Sequence, residues 1–192
     1  MLVRVSSSLI ARLAERLTPE APGRPLTDDR RRAAVAVVLH EAPSLRVLLM
    51  KRAERASDPW SGHISLPGGR FEPTDASLLE TAIRESREEL AIDLSAIRLL
   101  GPMRALQPFT SGPAGIQVTP FVFATDHVLA PQCGPEALSA FWLPLDQAAT
   151  GALDATYTYP GTDREFPGWR YEGHVIWGLT WRILGDVLAA SR

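Results

Sequence analysis

The chain has 192 residues, 45% hydrophobic and 22% charged, with a formal net charge of −2. This balance describes an ordinary folded domain and excludes an intrinsically disordered chain, a collagen-like repeat or a coiled coil. No apolar run approaches the ~20 residues of a membrane helix, a single cysteine (Cys133) excludes an internal disulfide framework, and a near-neutral charge offers no footprint for a nucleic-acid polymer.

Taken in chain order, Leu9, Ile10, Leu13 and Leu17 stand at helical spacing within Ser6–Leu17, and Pro19, Pro22, Gly23 and Pro25 then break the pattern. The expected division is an N-terminal helix and linker over residues 1–25 and a single domain over 26–192. The helix either caps the fold or joins two copies as a homodimer. Glu15 and Glu20 argue against a transit peptide, so a cytoplasmic protein is expected.

Valine-rich Ala33–Leu39, then Arg46–Lys51, read as strands, with a short third at His63–Leu66 before the turn at Gly68-Gly69. A helix is expected over Asp75–Leu90, capped by Thr74 or Asp75, with Leu79, Ile83, Ser86 and Leu90 along one side. Strands follow at Ile97–Leu100 and Ile116–Ala124, and Phe141–Leu145 leads into a short helix over 146–150. Residues 154–174 mix Tyr, Pro and Gly, and an amphipathic helix closes the chain from about Trp177 to Ala190. Strands outnumber helices, which predicts an α+β or a sandwich-like α/β/α domain.

The chemistry concentrates in Leu66-Pro67-Gly68-Gly69 and Arg84-Glu85-Ser86-Arg87-Glu88-Glu89. Glu85, Glu88 and Glu89 stand at i, i+3 and i+4, so their carboxylates share an arc of about 100° away from the leucine stripe. Three like charges this close need something positive among them. Arg84 and Arg87 supply part of it, and the arrangement is then a solvated helix face. A hard divalent cation is the other solution, since carboxylate oxygens are what magnesium takes. The glycine turn favours the second, because it lets backbone approach a metal or phosphate closely.

These residues resemble the Nudix box of the Nudix hydrolases: a glycine, five residues, Glu, seven residues, then Arg-Glu-(aliphatic)-x-Glu-Glu-x-Gly-(aliphatic). Gly69 opens it, Asp75 takes the first acidic position, and Arg84, Glu85, Glu88, Glu89 and Ile92 match the later ones. Asp75 replaces Glu, eight residues rather than seven precede Arg84, and Ser86 and Ala91 replace the usual aliphatic and glycine. The resemblance implies a Nudix-like α/β/α sandwich with a mixed β-sheet core. It also implies water attack on one phosphorus of a nucleoside diphosphate joined to another group. Glu85, Glu88, Glu89 and the Gly69 carbonyl would then hold Mg2+ or Mn2+, Asp75 would make a helix-start contact, and Arg84 would brace the glutamates. The general base of this family lies in the box or on a later loop; Glu136 is the later-loop candidate, its alternative reading being an exposed loop glutamate.

The preceding region resembles the coenzyme A pyrophosphatase branch. Leu48-Leu49-Met50-Lys51-Arg52-Ala53 matches its strand end with Met50 for Thr, and Gly62 lies four positions before Leu66-Pro67-Gly68-Gly69. The branch's arginine is missing, Ser57-Asp58 standing in its place. The implied substrate is coenzyme A or a derivative. Its alternatives are ADP-ribose, a dinucleotide, an oxidised nucleotide, or a non-catalytic nucleotide-binding module. Of 20 basic residues 19 are arginine, which codon preference explains; Arg52, Arg55 and Arg70 are the ones placed to meet phosphate, for which arginine's fork is suited. Trp60, on a turn-rich loop, either stacks on a base or packs in the core. Trp142, Trp177 and Trp181 sit on apolar-periodic segments and are expected in the core.

Overall fold

The apolar run after Arg32 forms the central strand of the computed structural model, which describes residues 8–19, 31–41, 43–54, 60–108 and 115–190. This strand, β1 (Arg32–His40), is buried on both faces, which is why it reads as a continuous valine and alanine block rather than an alternation. β2 (Arg46–Arg52), β3 (Ile64–Ser65), β4 (Gly68–Arg70), β5 (Arg98–Pro102), β6 (Gln117–Thr125) and β7 (Ala137–Pro144) complete a seven-stranded sheet with β1. β6 runs parallel to β1 and the other pairings are antiparallel, so the sheet is mixed.

β1 changes partner along its length. Leu39 and His40 pair with β2, whereas Ala33, Ala34 and Val35 pair with β4 through Arg70, Gly69 and Gly68. Gly68 adopts φ 146°, and a Cβ there would lie 2.3 Å from the Ala34 carbonyl oxygen, so only glycine permits this approach.

Helix α1 (Leu9–Arg16) precedes β1, and α2 (Leu78–Leu90) lies between β4 and β5. α3 (Leu145–Ala149) follows β7, and α4 (Gly178–Ala189) ends the described chain. The stretch 154–174 proves to be a second, three-stranded antiparallel sheet of β8 (Asp154–Thr158), β9 (Glu165–Tyr171) and β10 (His174–Trp177). The sequence there shows only a mixture of Tyr, Pro and Gly, because Pro167 and Gly168 interrupt β9, while β8 and β10 are only five and four residues long.

Each face of the main sheet buries its own core. On one, Ala34, Ala36, Val38, Leu48, Met50, Phe121 and Phe123 meet Leu79, Ala82, Ile83 and Leu90 of α2. On the other, Val37, Leu39, Val47, Leu49 and Val122 meet α1, α3, α4 and the second sheet. Leu9 and Leu13 of α1 join this second core, so the helix spends its apolar stripe on its own chain. Trp169 is the tryptophan 4% exposed, while Trp142, Trp177 and Trp181 are half-buried, correcting the expectation that these three fill the core.

Candidate active site: an acidic cleft beside a glycine turn

Helix α2 starts later than the sequence pattern predicts. Ser77, not Thr74 or Asp75, caps it, accepting a 3.2 Å hydrogen bond from the Glu80 N–H. Asp75 is engaged elsewhere: its Oδ1 accepts from Arg84 Nε at 2.9 Å and its Oδ2 from Arg84 Nη2 at 3.1 Å, Thr81 Oγ1 at 2.8 Å and the Glu72 N–H at 3.0 Å. Arg84 also donates from Nη1 to Glu85 Oε1 at 3.0 Å and Glu88 Oε2 at 3.2 Å, and from Nη2 to the Arg70 carbonyl at 3.0 Å. These bonds use all five donors of the guanidinium, leaving none for an external phosphate. The helix-start contact expected of Asp75 is therefore an ion pair that locks Arg84.

The three box glutamates occupy three environments. Glu89 is 2% exposed, and its Oε2 accepts a 2.8 Å hydrogen bond from the Gly68 N–H. Burial pushes its carboxyl up to about 8; the Gly68 N–H opposes the rise, the charges of Glu85 and Glu136 add to it, and Arg52 moderates it. Glu85 is half-buried and also raised by burial, with Arg84 pulling it back and Glu88 and Glu136 reinforcing the rise. Its carboxylate lies against Gly69, where a Cβ would come 2.3 Å from Oε1. Glu88 is exposed, and its Oε2 accepts from Arg84.

Asp75 behaves oppositely. Burial raises its carboxyl, but the Arg84 fork, the Glu72 N–H and the Thr81 hydroxyl together hold it below the ordinary range. The same pairing raises the Arg84 guanidinium.

Glu136 stands on the lining of this cleft, a cavity of about 330 Å³ bounded by Glu72, Arg84, Glu85, Glu88, Glu89, Pro135 and Glu136. The segment carrying it is pinned to the end of α2, the Gln132 N–H donating to the Leu90 carbonyl at 2.9 Å and the Gly134 N–H to the Glu89 carbonyl at 2.8 Å. A Cβ on Gly134 would lie 2.2 Å from the Glu88 carbonyl oxygen, so a glycine is needed for this contact. Glu72, unremarked in the sequence reading, also lines the cleft; its position three residues after Gly69 was the available signal.

The expected substrate-binding residues divide. Arg52 ends β2, donates its backbone N–H to the His63 carbonyl at 3.0 Å, and its charge reaches Glu89. Arg70 offers its carbonyl to Arg84, and its exposed side chain is not among the cleft-lining residues. Trp60 stands edge-on to His63 at 5.8 Å, within a group of half-buried rings that includes Tyr157 and Trp177. It too lies outside the cleft lining. Arg55 lies outside the described residues.

The residues present suit a divalent cation. The donor set is all carboxylate and carbonyl oxygen, and a carboxylate raised by burial and then by its acidic neighbours is a place where a cation is favoured. The Gly69 position has only the room that a bare backbone needs to sit against Glu85. Among the described residues no three His, Cys, Asp or Glu side chains converge on one point as a finished cage. Arg84 draws Glu85 and Glu88 to itself, and the Gly68 N–H holds Glu89.

Fold and cleft together set a carboxylate-lined cleft beside a glycine turn on a mixed-sheet sandwich. The NUDIX domain family model matches residues 29–162, and the chain belongs to the Nudix family. It is 35% identical over 158 residues to NudL of Yersinia enterocolitica, itself an uncharacterized Nudix hydrolase; that alignment covers 79% of this chain and 77% of the relative. The fold resembles the crystal structure of a NUDIX hydrolase from Alicyclobacillus acidocaldarius at 21% identity and TM-score 0.53, over 66% of this chain and 84% of that one. It also resembles a C. elegans Ap4A hydrolase at 22% identity and TM-score 0.52, over 62% and 84%. The protein is thus a Nudix hydrolase, acting on the pyrophosphate bonds of nucleoside diphosphate derivatives. Enzymes of this family generally use divalent metal cations. No helix among the described residues is long and apolar enough to cross a membrane.

Proposed function

We propose that this chain hydrolyses the diphosphate of coenzyme A or its derivatives, with Mg2+ or Mn2+, giving 3′-phosphoadenosine 5′-phosphate and 4′-phosphopantetheine. The observation that carries the hydrolytic reading is the gathering of Glu85, Glu88, Glu89 and Glu136 in one cleft beside the Gly68-Gly69 turn. The coenzyme A reading rests on the strand end Leu48–Ala53 and the placement of Gly62 before Leu66-Pro67-Gly68-Gly69.

In this reading Glu85, Glu88, Glu89 and the Gly69 carbonyl hold the cation. When bound it neutralises the diphosphate and polarises the attacked phosphorus. Glu136 takes the proton of the attacking water as the new P–O bond forms, and the bridging P–O bond breaks with its electron pair on the departing phosphate. Arg84, with every donor engaged, keeps Glu85 and Glu88 in place and does not touch substrate. Arg52, whose charge reaches Glu89, acts on the phosphates, and Trp60, outside the cleft lining, meets only a part of the substrate that extends beyond it.

The absent branch arginine, replaced by Ser57-Asp58, favours a second reading within the same chemistry: another nucleotide such as ADP-ribose, a dinucleotide or an oxidised nucleotide. A magnesium- and manganese-dependent screen of coenzyme A against those compounds separates the two. Coenzyme A turning over fastest to the two named products supports the first. Fast turnover of another nucleotide with none of coenzyme A replaces it with the second. Tight nucleotide binding with no turnover of any compound makes the chain a binding module.

A further inference from the structure

Thr81 sits in an environment unusual for a helical threonine. It is fully buried, and its hydroxyl lies 3.3 Å from the Ser77 carbonyl one turn back, the acceptor such hydroxyls ordinarily take. The carboxylate of Asp75 is closer, at 2.8 Å, and as the charged acceptor it is the stronger partner. The Asp75 side chain is itself only 4% exposed. Its Oδ2 is shared by Thr81, the Glu72 N–H and Arg84, and its Oδ1 by Arg84 alone. A continuous chain of bonds therefore runs from the interior face of α2 outward, through Thr81, Asp75 and Arg84, to Glu85 and Glu88.

We infer that Thr81 is a positioning residue for the cleft: its buried hydroxyl orients Asp75, and Asp75 orients the Arg84 fork that holds Glu85 and Glu88. The inference rests on the reading that these glutamates hold the divalent cation. Without the hydroxyl, the carboxylate of Asp75 loses a donor at a position with little access for water, and the fork is no longer pinned from below. The chain's Asp75 lies one residue further from Arg84 than the family pattern has it, so the pairing must bridge a longer connection. The Thr81 bond fixes where that connection ends.

The test is manganese titration into the full-length protein by calorimetry, with melting curves and steady-state kinetics on the best nucleotide of the screen. Thr81→Val is nearly isosteric and removes only the hydroxyl. It is expected to weaken Mn2+ binding by about tenfold, lower kcat to a similar degree and leave KM for the nucleotide unchanged. Thr81→Ser keeps the hydroxyl and should restore both. Ser86→Ala removes another buried hydroxyl of α2, one that donates to the Ala82 carbonyl and touches none of these groups. Its Mn2+ affinity should stay within about twofold of the unaltered chain whatever its melting temperature, which separates positioning from general loss of stability. Thr81→Ala carries the same comparison if the valine variant does not fold. Unchanged Mn2+ affinity in the variants lacking the hydroxyl, or failure of serine to restore it, overturns the inference. If the unaltered chain binds Mn2+ but hydrolyses nothing, the functional proposal falls and the titrations still decide Thr81. If it binds no Mn2+, both fall.

Discussion

The two faces of the main sheet are covered differently, and the contrast separates stability from chemistry. One face carries α2, whose Ala82 shares a core with the small Ala34 and Ala36 of β1, and there Glu89 takes the Gly68 N–H. The other is covered by three helices and a second sheet around Leu39, Leu49, Leu143, Ile183 and Leu184. Polar groups are concentrated at the margin of the thinly covered face, where five glutamates and one arginine line the cleft. Raised carboxyls there are a cost to the fold that the thick apolar face offsets.

Substitutions on the two faces should therefore fail in different assays. On the α2 face, Glu89→Gln or Glu88→Gln is expected to abolish metal-dependent hydrolysis in a chain that still melts cooperatively; turnover and melting measured together decide it, and an active variant removes the site assignment. Next in size, Glu136→Gln should lower kcat by about 10²–10⁴-fold while Mn2+ affinity by calorimetry is retained, as for a lost general base. On the opposite face, Leu184→Ala truncates a fully buried side chain and should cost about 2–5 kcal/mol in denaturant unfolding, with kcat per folded molecule unchanged.

A smaller effect concerns pH. The Glu89 carboxyl holds its proton up to about 8 in the folded chain, against an ordinary value of 4.5. Between those values the folded state binds more protons than the unfolded one, so stability falls as pH rises through the window. The metal-free protein should melt at lower temperature near about pH 8 than near about pH 5.5, and Glu89→Gln should flatten that slope. Asp75 acts in the opposite sense, its lowered carboxyl stabilising the fold above the ordinary carboxylate range and losing that contribution only in stronger acid. The smallest effect is at the end of α2. Ala91 holds φ 54° where the family pattern has glycine, with its N–H closing on the Arg87 carbonyl. Ala91→Gly should stabilise the chain by about 1 kcal/mol without touching activity, measured by chemical denaturation.

Much of the site was legible because it is local. Glu85, Glu88 and Glu89 share a helix face by the 3.6-residue period alone, and the doubled glycine announced a close backbone approach. The Nudix match over residues 29–162 and the mixed-sheet sandwich agree with the family and fold that the box implies. The second sheet was not legible, because the alternation in β8 lasts only five residues and Pro167 and Gly168 break the pattern of β9. The helix start was misplaced by a few residues because Asp75 is as good a cap by type as Ser77, and only the position of Arg84 draws it away. Nothing in the neighbourhood of Thr81 distinguished it from any buried helical threonine.

Periodicity and residue type, properties of a few consecutive residues, by themselves determined the acidic arc, the glycine turn and the α+β class. Which glutamate of the arc is buried was decided by the tertiary structure: Glu88 and Glu89 are neighbours, yet one is exposed and the other is 2% exposed, according to how α2 is rotated on the sheet. So was the arrival of Glu136, which comes from far along the chain because the bare backbone of Gly134 can rest on the Glu88 carbonyl. Burial and long-range approach depend on the packing of whole elements, and that packing makes a cleft of an acidic helix face.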